Sequence, residues 1–207
     1  MKGYSISPNR ASQIFVCGVK GAGKRSFISL FFPDRQRMTL KEVNIKTTTR
    51  NVLFILILDG IHLQNLEEEA IFNGIKDLYK SKKKTNFYLL LVLGKSDLIY
   101  DFQQTPDLIS EIYQSYQAFL TSLTPMRIKF VAFSYLATKL SREFMLREMS
   151  DNDCVRASFL MAKLGCVFRE TDTHAIQSYL RNHRGAISAI SGEKQIQHFL
   201  SQWKEKI

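Results

Sequence analysis

Residues 13–24 read Gln13-Ile14-Phe15-Val16-Cys17-Gly18-Val19-Lys20-Gly21-Ala22-Gly23-Lys24. The run 13–18 is short and apolar, as a buried strand would be, and it ends in a loop with glycine at 18, 21 and 23. Residues 26–32 follow with helical character, and Pro33 closes that helix because proline cannot continue it. Glycines at 18 and 23 let the backbone wrap so that consecutive N–H groups point inward. Such a concavity suits phosphate oxygens. Lys24 supplies a cation for β- and γ-phosphates, and the helix beginning near Arg25 adds the positive end of its dipole.

Placement between a strand and a helix makes this motif more specific than its spacing alone. The candidate phosphate-binding residues are Gly18, Gly21, Gly23, Lys24, Arg25 and Ser26. One position departs from a working P-loop. Ser or Thr after the lysine ligates magnesium, whereas this chain has Arg25. Ser26 follows, but one step along a helix turns a side chain by about 100°, away from the metal. Two readings stay open: Arg25 brings charge to the phosphates in partial place of Mg2+, or it marks a decayed site.

Outward from the loop, residues 52–58 and 87–93 are apolar throughout, as strands covered on both faces are. Residues 128–133 read as a third apolar strand, and 39–45 as a short edge strand in a polar segment. Between them lie amphipathic segments. Residues 67–79 carry Ala70, Ile71, Ile75 and Leu78 near helical spacing. Residues 107–123 carry Leu108, Ile112, Tyr116, Phe119 and Leu120, with Pro106 suited to the first turn, and 136–149 reads as a further helix. Alternation of this kind predicts an α/β fold with a doubly wound, mainly parallel sheet over residues 1–150. Residues 151–207 contain no convincing strand and read as a helical extension, with helices at 153–164 and 171–182. A last helix from Ser191 aligns Ile196, Phe199, Leu200 and Trp203 on one stripe, expected to dock on the parent domain in preference to a partner.

Composition sets the outer bounds. The chain has 207 residues, 45% hydrophobic and 23% charged, which suits one globular domain. No apolar run approaches the roughly 18 residues of a membrane span, and the polar start lacks a secretory signal. Cys17, Cys154 and Cys166 are widely spaced and read as reduced thiols of a cytoplasmic protein. The net charge is +10. The lysines at 80 and 82–84 read as a solvated helix end, because no aromatic platform accompanies them; nucleic acid is not the expected partner. His62, His174, His183 and His198 show no metal-ligand spacing.

Strand 87–93 leads into Gly94-Lys95-Ser96-Asp97-Leu98. In order and context this resembles the guanine-recognition motif Asn-Lys-x-Asp of the Ras-like small GTPase superfamily, with Gly94 in place of asparagine. One strand later, Phe133-Ser134-Tyr135 stands where that family has its Ser-Ala loop. The resemblance covers residues 11–149, and its long helix after the second motif is more similar to the Rag branch than to Ras. It implies GTP or GDP as ligand, with Asp97 accepting from the guanine, the Lys95 stem over the base and Ser134 as a weaker contact. It also implies a protein partner, such as another G-domain-like subunit.

Departures from the family bear on activity. Its Asp-x-x-Gly motif has no counterpart, since Asp59-Gly60-Ile61-His62 misplaces the glycine. Strand 52–58 suits the strand after switch II, leaving only 27–52 for both switches. Thr47, Thr48 and Thr49 are the available imitations of a switch I threonine, and Gln64 is the nearest candidate for orienting water. No catalytic residue and no metal ligand are assigned. The expectation is a degenerate GTPase, a pseudo-GTPase acting as a protein-binding or scaffold subunit, with weak or no nucleotide binding and negligible hydrolysis. Two alternatives remain: an active GTP-binding switch with an unusual magnesium site, and an ATP-using P-loop enzyme built around Asp59.

Overall fold

The computed structural model describes residues 1–35, 38–82, 85–99, 105–123, 126–141 and 184–205, together with the single positions 157, 160, 178 and 182. The strands are β1 (Lys2–Asn9), β2 (Ser12–Gly18), β3 (Lys41–Glu42), β4 (Asn51–Asp59), β5 (Asn86–Gly94) and β6 (Arg127–Ala132), with β2, β4 and β5 built on apolar runs. They form one sheet in the order β3-β1-β2-β4-β5-β6. The run β2-β4-β5-β6 is parallel, and β1 is antiparallel to both its neighbours. The sheet is therefore mixed and mostly parallel, compatible with a doubly wound layer.

Among the described residues the helices are α1 (Lys24–Phe31), α2 (Leu66–Ser81), α3 (Ser96–Ile99), α4 (Thr105–Ser115), α5 (Gln117–Thr121), α6 (Tyr135–Ser141), α7 (Arg184–Ser191) and α8 (Glu193–Lys204). Residues 52–58 of β4 are fully buried on both sides of the pleat, so both faces of the sheet are covered. Phe15, Phe54 and Phe87 stack along one face. Tyr79 of α2 meets Phe87 edge-on, and Tyr113 of α4 meets Phe130. These ring contacts place α2 and α4 on that face.

Three expectations change. The N-terminal residues form β1, a strand that the polar reading of this segment missed; Tyr4 and Ile6 turn inward at alternate positions and are buried. The helix expected at 107–123 breaks at Tyr116, whose N–H bonds to the Tyr113 carbonyl three residues back. The edge strand expected at 39–45 shrinks to two residues paired with β1. Residues 142–149 of the helix expected after β6, and the helices at 153–164 and 171–182, lie outside the described residues apart from single positions. So do Cys154 and Cys166. Cys17 is buried in β2, and burial pushes its thiol up to about 12, so it stays protonated. Among the described residues no helix is long and apolar enough to cross a membrane.

The C-terminal stripe docks on its own chain. Ile196, Leu200 and Trp203 are buried in the same core as the sheet, and Phe199 packs against it. The α7–α8 junction fits closely over the end of β6. Gly192 has φ +68, a Cβ there would collide with the Ala132 carbonyl, and the Ser134 N–H donates to the Ser191 carbonyl. Trp203 is 1% exposed, and truncating a buried tryptophan costs about 3–5 kcal/mol. Trp203→Ala is expected to lower the unfolding free energy in urea by that amount, with the elution volume in size-exclusion chromatography unchanged.

Candidate functional site

The loop from Gly18 to Lys24 wraps as its glycines require. Gly18, Gly21 and Gly23 have φ of 148°, 86° and 89°, a region that residues with a Cβ rarely enter. Gly18 has a second reason to be glycine, since a Cβ would collide with the Ile57 carbonyl of β4. α1 starts directly at Lys24 behind Gly23, with no side-chain cap and no acidic residue in its first turn. Its terminal N–H groups therefore keep their unscreened partial charge.

Lys24 folds back over the loop. Its Nζ donates to the Gly18 carbonyl at 2.7 Å and to the Val19 carbonyl. Burial pulls its ammonium below the ordinary value, and the Glu67 carboxylate pushes it partly back. Arg25 is exposed, and its Nε donates to the Tyr4 hydroxyl of β1 at 3.3 Å. A cleft of about 810 Å³ lies over these residues. Beside the glycines, Lys24, Arg25 and Ser26, its lining includes Lys2 and Tyr4 of β1, Lys20, and Glu67 on α2. The contribution of β1 was not legible in the sequence, because the strand itself was not.

Asp59 and Lys95 meet beside the loop. The Lys95 Nζ lies 2.8 Å from the Asp59 Oδ2, with Asp59 at 3% side-chain exposure. A Cβ on Gly21 would lie 3.9 Å from the same oxygen, so the carboxylate faces the glycine loop. Its Oδ1 accepts from the Ile61 N–H at 3.2 Å. Lys95 holds φ 57, uncommon for a side-chain-bearing residue. Asp97 and Ser134 form a separate buried pair. The Ser134 hydroxyl donates to the Asp97 Oδ1 at 2.6 Å and accepts from the Ala137 N–H at 3.0 Å. Asp97 is 3% exposed and Ser134 fully buried. The described lining of the cleft over the loop includes none of Lys95, Asp97 and Ser134. The residues predicted for phosphate thus line the cleft, while of those predicted for guanine Lys95 bonds to Asp59 beside the loop and Asp97 to Ser134.

Gly94 is explained by packing. A Cβ there would lie 3.0 Å from the Leu58 carbonyl and 3.1 Å from the Ala22 carbonyl of the glycine loop. The polar threonines fall at the wrong end of the sheet. Asn51 pairs with Ser12 at the amino end of β2, so Thr47, Thr48 and Thr49 are remote from the loop that follows Gly18. Thr49 is buried and donates to the Gln13 side chain at 2.6 Å, which accounts for it structurally. Gln64 precedes α2 and lines a different groove, with Glu68, Phe72, Tyr116 and Phe119. In that groove Glu68 is 1% exposed, its Oε2 accepts from the Tyr116 hydroxyl at 2.8 Å, and its Oε1 has no partner. Burial pushes the Glu68 carboxyl above its ordinary value, against hydrogen bonds from Tyr116 and backbone that lower it.

No protein-family model matches the chain, and no curated protein matches it.

Gly94→Asn overpacks the contact of β5 with the loop and is expected to cost about 1–3 kcal/mol in denaturant unfolding. For Glu68, a raised native pKa means its contribution is present below the unfolded value of 4.5 and is lost as pH rises through the native value. Thermal melts at pH 5 and pH 8 should therefore show Glu68→Gln gaining on the wild type at the higher pH.

Proposed function

We propose that this chain is a degenerate, Ras-like P-loop domain that serves as a protein-binding or scaffold subunit, holding nucleotide weakly or not at all and hydrolysing GTP negligibly. One observation carries the reading. The loop Gly18–Lys24 has the wrapped backbone of a phosphate cradle, yet its lysine and the neighbouring motif residues are partnered within the chain. Lys24 lies on loop carbonyls, Lys95 on Asp59, and Asp97 on Ser134. A ligand has to break these contacts before making its own, which lowers its net gain.

The donors of the site agree with phosphate better than with guanine or magnesium. Three glycines at positive φ and a cleft of about 810 Å³ suit a phosphate chain. Asp97 is too buried to meet a base without rearrangement. At position 25 a guanidinium bound to Tyr4 stands where a magnesium-ligating hydroxyl would be needed. β4 lies between the loop strand and β5, as the strand after switch II would, and the other neighbour of β2 is the antiparallel β1. That order supports loss of the Asp-x-x-Gly segment. Phosphoryl transfer rests on placed charge and metal, so hydrolysis is not expected.

Partner binding draws support from the surface. A groove of about 950 Å³ runs between α2 and the α4–α5 region, with Phe72 and Phe119 stacked in it and Leu66 85% exposed. Exposed apolar groups around such a groove suit a protein partner. One feature favours the ATP-using alternative: the Asp59 carboxylate ends a strand beside the loop and faces Gly21.

Calorimetry with GTP, GDP and ATP, with and without magnesium, separates these readings. The expected result is weak binding, insensitive to magnesium and abolished by Lys24→Ala, with no GTP turnover. Tight, magnesium-dependent GTP binding overturns the proposal, and a clear preference for ATP transfers support to the alternative.

A further inference from the structure

The glycine loop already holds an anion. Glu67, in the first turn of α2, has its Oε2 3.3 Å from the backbone nitrogen of Lys20 and accepts its N–H. Lys20 belongs to the loop Gly18–Lys24 and, like Glu67, lines the cleft over it. The lining of the cleft carries the cations Lys2, Lys20, Lys24 and Arg25, and its sole carboxylate among the described residues is Glu67. Glu67 also acts electrostatically on Lys24, the residue meant to meet the phosphates. Its position is held from below. The Asn65 side chain caps α2 by accepting from the Glu68 N–H at 2.9 Å, which sets the first turn and the direction in which Glu67 leaves it.

We propose that Glu67 is a built-in occupant of the phosphate cradle, a carboxylate that an incoming phosphate must displace, and hence the residue that sets which phosphates the loop accepts. This rests on reading Gly18–Lys24 as a phosphate cradle. The carboxylate offers the loop N–H the same kind of oxygen that a phosphate offers, and it partly neutralises the cations that would draw a phosphate in. Two anions competing for one set of donors repel, and the repulsion grows with ligand charge. Glu67 therefore discriminates most strongly against the highly charged triphosphate and least against a monophosphate. A purely local role is the competing explanation, since Glu67, Glu68 and Glu69 all lie at the positive end of the α2 dipole. That role predicts a change in stability with no change in anion binding.

The test uses the full chain, with inorganic phosphate, pyrophosphate and GTP as probes in magnesium-free calorimetry. The proteins are wild type, Glu67→Gln, Glu69→Gln and Lys24→Ala. Glu67→Gln is expected to bind pyrophosphate about fivefold tighter, the scale of one exposed charge contact. GTP should gain more and inorganic phosphate less, while Glu69→Gln behaves as wild type. The Lys20 amide resonance should move in Glu67→Gln, and in the wild type on adding pyrophosphate. If wild type and Glu67→Gln bind alike and Lys24→Ala abolishes binding, the cradle stands and the role of Glu67 is overturned. Weaker binding in Glu67→Gln overturns it as well. If neither protein binds any probe at millimolar concentration while both give native circular dichroism, the cradle reading falls with it.

Discussion

Backbone meets backbone, with no side chain between, where β2, β4 and β5 end. Gly18 lies against the Ile57 carbonyl, the Gly60 N–H donates to the Gly94 carbonyl at 3.1 Å, and Gly94 lies beside the Leu58 and Ala22 carbonyls. The rest of the site depends on this contact. Because the strand ends are drawn together there, the residues just past them are brought into reach. Asp59 faces Gly21, and Lys95 reaches Asp59. The carboxyl ends of parallel strands are where α/β sheets bind ligands, and here three glycines set how closely those ends approach.

The charges around that contact are satisfied from within. Lys24, Lys95 and Asp97 each have a partner in the chain, and Glu67 bonds to the loop itself. Buried or half-buried charges carry a desolvation penalty that only a partner offsets. Charged groups that partner one another within the chain avoid that penalty and gain rigidity. Here the Lys95–Asp59 and Asp97–Ser134 pairs join β4, β5, α3 and α6. In the proposed reading, such a domain keeps its surface in shape for a partner while giving up turnover.

Much of the fold was legible. β4 and β5 stood out as unbroken apolar runs, since a strand buried on both faces has no polar alternation to confuse the reading. The glycine loop was legible because its backbone conformation demands a residue type. β1 was not, as its two inward residues sit among polar neighbours and its strand state comes from pairing with β2. Nor was the break at Tyr116, where the ring turns down to reach Glu68, 48 positions away in the chain. Periodicity carries no information about such a contact.

The sequence by itself determined where the chain wraps, which strands are buried, and that an arginine follows Lys24. These are local matters, decided by backbone sterics and by the apolar content of a few neighbouring residues. Tertiary structure alone decided that Arg25 turns to Tyr4, that Asp97 is closed by Ser134, and that Glu67 reaches the loop. It also decided that the Trp203 stripe covers its own domain. Each of these pairs residues more than twenty positions apart, and only the packed sheet and its helices bring them within bonding distance.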